Sequence, residues 1–422
     1  MEGAHIKKRR SRMKEKPEKS FSLASFAWQR LKRNRLSMFG IGIIAIMMLI
    51  SILGYLITPD SSPDAATHIE EISIRKPGFS CQLIKLRKNI PSTDQNFIST
   101  MLFGQPNEYE YHAIKKYWFK GNDIYWEEYQ EGEIGRVWRY NLADAIYAIN
   151  PAFQISNDSV GGTIDFYAYG DARKIHKTVS ELQNEVTANI YNKSFVLGTD
   201  HFGRDLLSRL MIGSRISLFV GFISVVISIF IGILMGALAG FFRGWVDDLI
   251  MWVINVVWSI PTLLLVIAIT LVLGRGIFPI FVAVGLTMWV ETARVVRGQI
   301  LSVREKEFVE AGRALGFTNL RLILRHILPN VMGPVIVISA NNFASAILIE
   351  AGLSYLGIGV TRPTPSWGMM ISEYKGYILT GDAYLAVLPG IAIMLVVLAF
   401  MLLGNGLRDA IDTKMAEDNI MT

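Results

Sequence analysis

Few residues in this chain of 422 have a type and spacing suited to carrying out a reaction. Its six histidines, His5, His68, His112, His176, His201 and His326, are scattered, and none sits inside an apolar stretch beside a serine or carboxylate. There is no G-x-x-x-x-G-K-[ST] phosphate loop, no H-E-x-x-H and no C-x-x-C, so the chain is not expected to bind nucleotide, a cofactor or a metal by itself. A lone cysteine, Cys81, excludes an internal disulfide framework. The informative polar residues are those embedded in apolar surroundings: Asn255, Glu291, Asn341, Asn342 and Glu350. Such groups are costly in hydrocarbon and normally face protein or a water-filled path. Glu291 has Arg294 three residues along the same helix and Arg297 six, which suits a neutralised interfacial pair. Glu350 has no charged neighbour within a turn.

The elements that must position these groups are apolar. Hydrophobic residues make up 51% of the chain and charged ones 18%, well below the usual quarter, which argues against a soluble enzyme. Residues 36–59, 216–242, 249–274, 327–349 and 383–407 contain no charge, and each can cross about 30 Å of hydrocarbon as a helix. The stretch 276–290 becomes long enough if Glu291 is tolerated at its end, so six spans are expected: 37–57, and near 214–242, 249–274, 276–297, 328–353 and 383–407. Residues 1–57 carry 12 Lys+Arg against 3 Asp+Glu, which holds the amino terminus in the cytoplasm. Six crossings then place the carboxyl terminus and the Arg-rich loop 298–327 inside as well. The net charge of +6 is concentrated in the first segment, which does not suit nucleic acid. Residues 1–36 read as a cytoplasmic basic tail attracted to membrane lipid, ending in an interfacial amphipathic helix over 21–36. The apolar stretch that follows lacks a cleavage pattern and is expected to stay as an anchor.

Between the first two spans lies a long acidic segment, 58–195. Its many aromatics, among them Tyr109, Trp118, Trp126 and Trp138, supply the apolar area that a disordered linker lacks. Gly121-Asn122, Gly161-Gly162 and Gly170-Asp171 read as turns between short strands, and Lys177 to Tyr191 reads as a helix. An extracytoplasmic mixed α+β insertion is expected. In the second span, Ser224, Ser228, Gly232, Gly236 and Gly240 recur every four residues, a small-residue ridge for close helix packing or for sliding between states. Pro261 should kink the third span by removing a backbone hydrogen bond.

The strongest pattern is Glu310-Ala311-Gly312-Arg313-Ala314-Leu315-Gly316, followed by Pro329 in His326-Ile327-Leu328-Pro329-Asn330. It resembles the E-A-A…G…L-P coupling loop of ABC importer permeases, with Gly312 and His326 where the general pattern has Ala and Ile. Gly198–Arg209, Leu353–Gly359 with Pro363–Gly368, and Leu403–Ala410 resemble the C-type permease of dipeptide and oligopeptide importers. The likeness is loose over 21–57, close over 196–412, and absent from the insertion; residues 413–422 remain as a cytoplasmic tail. It implies an all-α polytopic membrane protein of the type I ABC importer (MetI-like) architecture in a bacterial inner membrane. In that family the loop docks on an ATP-binding subunit. The small residues permit close approach, Gly316 a sharp helix end, and Glu305, Glu307, Glu310, Arg313, Arg321 and Arg325 can pair at the rim.

The resemblance implies a second permease subunit of similar fold, two ABC ATPase subunits carrying ATP and Mg, an extracytoplasmic substrate-binding protein, and a peptide substrate. Cell-wall peptides, glutathione, peptide antibiotics and nickel are alternative cargoes. Glu350 would then meet a peptide's amino group or pair with the partner subunit, and Asn255, Asn341 and Asn342 are candidate path residues. Two readings of other classes are an ion-coupled secondary transporter, which would need mid-depth carboxylates and inverted symmetry, and a membrane-anchored enzyme or sensor acting through 58–195.

Overall fold

The computed structural model describes residues 23–91, 95–150, 152–153, 155–158, 162–169, 174–274 and 276–411. The basic stretch before Leu23, Gly161, Gly170-Asp171 and the tail 413–422 lie outside the described residues. The chain begins with a short helix, α1 (Leu23–Arg33), that breaks at Asn34. The Asn34 side chain accepts from the N–H groups of Leu36 and Ser37, the first-turn donors that a helix cannot satisfy internally, and so caps α2 (Arg35–Ile57).

The insertion is the expected α+β unit. Its elements are β1 (Phe79–Arg87), α3 (Phe97–Phe103), β2 (Tyr109–Lys120), β3 (Asp123–Glu128), β4 (Val137–Asn141), α4 (Leu142–Ile146), β5 (Ser156–Asp158), β6 (Thr163–Tyr167), β7 (Lys174–Thr178), α5 (Val179–Ala188) and β8 (Ile190–Phe195). All pairings are antiparallel, in a five-stranded sheet of order β4-β3-β2-β1-β8 and a three-stranded sheet β5-β6-β7. Strand β1 is buried on both faces: Cys81 and Leu83 point into a core with Ile72 and Phe195, while Ile84 and Leu86 join Trp126, Leu142, Phe166 and Leu182. Helix α5 is shorter than the expected Lys177–Tyr191. Thr178 and Glu181 form a reciprocal capping box that starts it, Asn189 ends it, and the flanking residues are taken by strands, Lys177 opposite Ile164 and Tyr191 opposite Leu83.

The rest is helical: α6 (Leu206–Phe242), α7 (Gly244–Ser259), α8 (Thr262–Leu273), α9 (Ile277–Val303), α10 (Glu307–Ala314), α11 (Asn319–Arg321), a π-helical turn (Leu322–Ile327), α12 (Leu328–Tyr355), α13 (Trp367–Tyr374) and α14 (Tyr384–Ile411). Five helical segments among the described residues are long and apolar enough to cross a membrane, and α7 with α8 makes a sixth only if counted as one bent span. The expected kink at Pro261 is a break, with α7 and α8 at 93°. Ile260, forced extended by the following proline (φ −92°, ψ 129°), carries the chain out of the helix, and Pro261 has no N–H to restore the ladder. Two boundaries also move. Asp205 accepts from the Ser208 N–H and starts α6 ahead of residue 214, and α9 continues past 297 to Val303, so the loop between spans begins at Arg304.

Candidate functional site

The segment from Arg304 to Pro329 folds into an elbow whose inner face is apolar. Val309 of α10 is buried with Val303, Leu322, Ile323, Ile327 and Val331. Gly312 is buried on the same face, and a methyl group there would lie 2.8 Å from Leu322 Cδ2 and 3.2 Å from Phe317 Cδ2. The seam there leaves little room for a side chain, and any larger than a methyl group must displace Leu322 and Phe317. Helix α10 ends in a Schellman motif: the Phe317 N–H donates to the Gly312 carbonyl, the Gly316 N–H to that of Arg313, and Gly316 takes φ +74°. The Thr318 hydroxyl caps the next turn. Pro329 does not stop a helix. The π turn widens the backbone just ahead of it and runs on into α12, where the missing N–H is tolerated.

Away from that face, Glu310, Ala311, Arg313 and Ala314 are exposed, as are Phe308, Leu315 (73%), Leu320 (67%) and Leu324. Large apolar side chains exposed among charges are the kind of surface that a protein contact covers. The expected rim of ion pairs is sparse: Glu305 pairs with Arg243, whereas Arg313 lies over the Phe241 ring and Arg321 over Phe317 at 4.1 Å. The Arg304 guanidinium donates to the Phe241 carbonyl. The elbow is thereby tied to the end of α6.

The small-residue ridge faces α9 along its length. Ser224 donates to the Phe281 carbonyl at 3.2 Å, and the Ser228 and Thr292 hydroxyls are 3.3 Å apart. A methyl at Gly232 would lie 2.5 Å from Thr292 Cβ, at Gly236 2.6 Å from the Ala293 oxygen, and at Gly240 2.9 Å from the Arg297 oxygen. Replacing Gly232 with valine is expected to lower stability by about 1–3 kcal/mol through overpacking, read as earlier thermal unfolding of the purified chain in detergent; unchanged unfolding would show that the two helices part at no cost.

The polar groups of the spans do not converge. Arg294 neither pairs with Glu291 nor leaves Asn255 free: it lies 3.6 Å from the Trp258 ring centre and donates to Asn255 Oδ1 at 2.9 Å, while Arg297 grips Asp247 with two bonds of 2.5 and 2.6 Å. Glu291 is left exposed on a cleft shared with Trp258, Thr287 and Ser345, with no ion pair among the described residues. Asn341 lines a separate groove beside Gln299 and Arg408. Asn342 is buried and donates to the Thr292 hydroxyl at 3.2 Å. Glu350 is wholly enclosed and accepts from Ser217 at 3.2 Å and Ser354 at 2.8 Å, tying α12 to α6 within this chain.

A buried charge cluster is present whose role sequence reading missed. Asp200 accepts from Arg204 Nε at 2.6 Å and from the Tyr374 hydroxyl at 2.9 Å, and Glu373 holds Arg204 at 3.0 Å and Arg209 at 3.1 Å. All four charged side chains are at most 4% exposed. Burial alone would raise the Asp200 pKa, but Arg204 and Arg209 outweigh it and hold the carboxyl below its ordinary value. The cluster bolts the segment between β8 and α6, and the start of α6, to α13. The Asp200–Arg204 spacing was visible; the partner Glu373, far along the chain, was not.

These features describe a chain with five or six helices long and apolar enough to cross a membrane, a closely packed helical core and a loop with exposed apolar residues. Residues 216–417 match the family model for the binding-protein-dependent transport system inner membrane component, and residues 22–71 match that for the N-terminal transmembrane domain of oligopeptide transport permease C. The chain belongs to this family of inner-membrane transport permeases. It is 42% identical over 218 residues to the glutathione transport system permease protein GsiD of Escherichia coli O157:H7, covering 52% of this chain and 72% of that one. It is 41% identical over 218 residues to the dipeptide transport system permease protein DppC of Alkalihalophilus pseudofirmus, covering 52% and 71%. A solved structure of the inward-facing MetNI methionine ABC transporter aligns with a TM-score of 0.40 at 22% identity, over 49% of this chain and 94% of that one.

Proposed function

We propose that this chain is one of two membrane subunits of an ATP-driven importer of di- or oligopeptides in the cytoplasmic membrane of a bacterium. Both termini face the cytoplasm, the α7–α8 pair counts as one of six spans, and the 58–195 insertion faces outward. A second permease of similar fold completes the path, two ATPase subunits carrying ATP and Mg dock below the pair, one of them on this chain's elbow, and an external binding protein delivers cargo. The observation that carries this reading is the elbow: a glycine-tight inner face fixes α10 to the π turn and α6, and an exposed apolar outer face calls for a partner. Closure of the ATPases moves α10, and the motion passes through Arg304 and Phe241 into α6 and α9. The work comes from outside the chain, since a ligand shifts an equilibrium only by its differential affinity for the two states.

Glu350 and Asn342, with partners inside the chain, act in this reading as joints of α12. Asn341 borders an open groove and is the stronger path residue, whereas Asn255 is exposed but engaged by Arg294. Peptide cargo rests on the relatives named above, one of which is a glutathione permease. Competition of labelled dipeptide uptake by longer peptides, glutathione and nickel ranks these cargoes, and a transporter that takes up no peptide contradicts the assignment.

The insertion, in this reading, receives the binding protein. Ile84 pairs with Ile190, so residues 85–189 can be replaced by an Asn-Gly turn joining β1 to β8 while the buried charge cluster stays in place. The expected result is at least about tenfold weaker dependence of uptake on the binding protein, the equivalent of ~1.4 kcal/mol; undisturbed dependence would show that the insertion plays no part in delivery.

A further inference from the structure

At the carboxyl end of α2 a groove of about 610 Å³ opens between α2 and α6. Met48 and Ile52 form one wall, Phe219 and Phe222 the other, and Leu102 of α3 roofs it. Helix α3 belongs to the insertion, yet it is clamped to the end of a membrane span. Arg215 Nη1 donates to the Met101 carbonyl at 3.3 Å, the Gln105 N–H donates to the Ser61 carbonyl at 2.8 Å, and a methyl at Gly104 would lie 3.0 Å from the Tyr55 ring. Despite this position α3 exposes Phe97 (69%), Ile98 (65%) and Phe103 (68%). Their apolar surface continues the exposed face of α2, where Leu49, Ile52 and Leu56 point outward.

The mouth of the groove is polar in a specific way. Arg215 sits 4.9 Å from the Tyr55 ring centre, and among the described residues it makes no ion pair, only the bond to Met101. Asp64, whose N–H donates to the Tyr55 hydroxyl at 3.1 Å, borders the same mouth. A cation and a carboxylate over an apolar slot match a zwitterionic head over an acyl chain, and guanidinium is well suited to phosphate.

We propose that α3 is sunk into the leaflet at the carboxyl end of α2 and that the groove is a site for one ethanolamine-headed phospholipid, with an acyl chain between α2 and α6, its phosphate on Arg215 and its ammonium beside Asp64. Continuity with the face of α2 makes lipid the occupant. The site is independent of the cargo and of which side of the membrane the insertion occupies.

The test uses the full chain in vesicles of phosphatidylethanolamine and phosphatidylglycerol, with a trace of phosphatidylethanolamine bearing a diazirine midway along one acyl chain. After illumination, label is expected to concentrate on peptides containing Met48, Leu102 and Phe219. Arg215→Gln should lower that labelling roughly fivefold, the equivalent of about 1 kcal/mol per basic residue at a lipid surface, and Phe219→Trp, which fills the groove and leaves the head contacts intact, should lower it as well. A probe with a glycerol head should label less than half as strongly; equal labelling would overturn the place given to Asp64. Label spread evenly over the exposed faces of all spans, or unchanged in both variants, would overturn the site.

Discussion

Replacing Gly312 with leucine is expected to reduce ATP-driven uptake at least about tenfold while leaving the membrane spans folded. The substituent would be driven into Leu322 and Phe317, already 2.8 and 3.2 Å from a single methyl. Overpacking of about 1–3 kcal/mol at this seam must be relieved by moving α10. Coupling between sites has a similar size, so a displacement of that order is enough to decouple them. Gly316→Val should act at the same place by another route, because φ +74° is strained for a β-branched residue. ATP hydrolysis by the assembled complex separates the outcomes: uncoupled hydrolysis or lost ATPase association is expected from both variants, and normal coupled uptake from either would mean that α10 does not transmit the stroke. Gly312→Ala, which restores the residue common in the family pattern, should be far milder.

Asp200→Ala is expected to be the most destabilising single change outside the spans. It removes the carboxylate that Arg204, Arg209 and Tyr374 share and leaves buried guanidinium charge uncompensated, a loss of about 3–5 kcal/mol. Unfolding in denaturant and protease nicking between β8 and α6 would register it; a loss under about 1 kcal/mol, the range of an exposed pair, would show that water reaches the cluster. The pH dependence has a definite sign. Because the folded Asp200 pKa lies below its ordinary value, its contribution is complete above the ordinary carboxylate range near pH 4 and disappears as pH falls through the lowered folded value. The native joint should therefore survive mild acid that protonates free carboxylates, and Asp200→Asn should lose that part of the pH dependence.

What could be read from the sequence divides along physical lines. Charge-free stretches reveal spans because every residue of a span meets the same solvent, and the recurrence from Ser224 to Gly240 reveals a packing seam because close approach demands small residues wherever the partner lies. Boundaries were less legible. Asp205 lengthens α6 by capping it, and α9 runs on past Arg297 to Val303. Blindness to distant partners misassigned Arg294: spacing pointed to Glu291, but Trp258 and Asn255, brought alongside by the fold, take the guanidinium. Pro261 was read correctly in kind and underestimated in size, since the extended Ile260 turns a missing hydrogen bond into a corner. In the elbow the positions of Gly312 and Gly316 were plain, whereas the π turn that carries the chain past Pro329 left no sequence signal.

The central claim, that the chain receives its work through the elbow from a cytoplasmic ATPase, is tested most directly by a cysteine at Glu310 in a Cys81→Ser background. In sealed vesicles of known orientation the account predicts modification by an impermeant maleimide only from the cytoplasmic side, protection when the ATPase subunits are bound, and, on mild oxidation, a disulfide to a second cysteine introduced on the facing surface of the ATPase. Modification from the outer side, or equal reactivity with and without the ATPases, would contradict it.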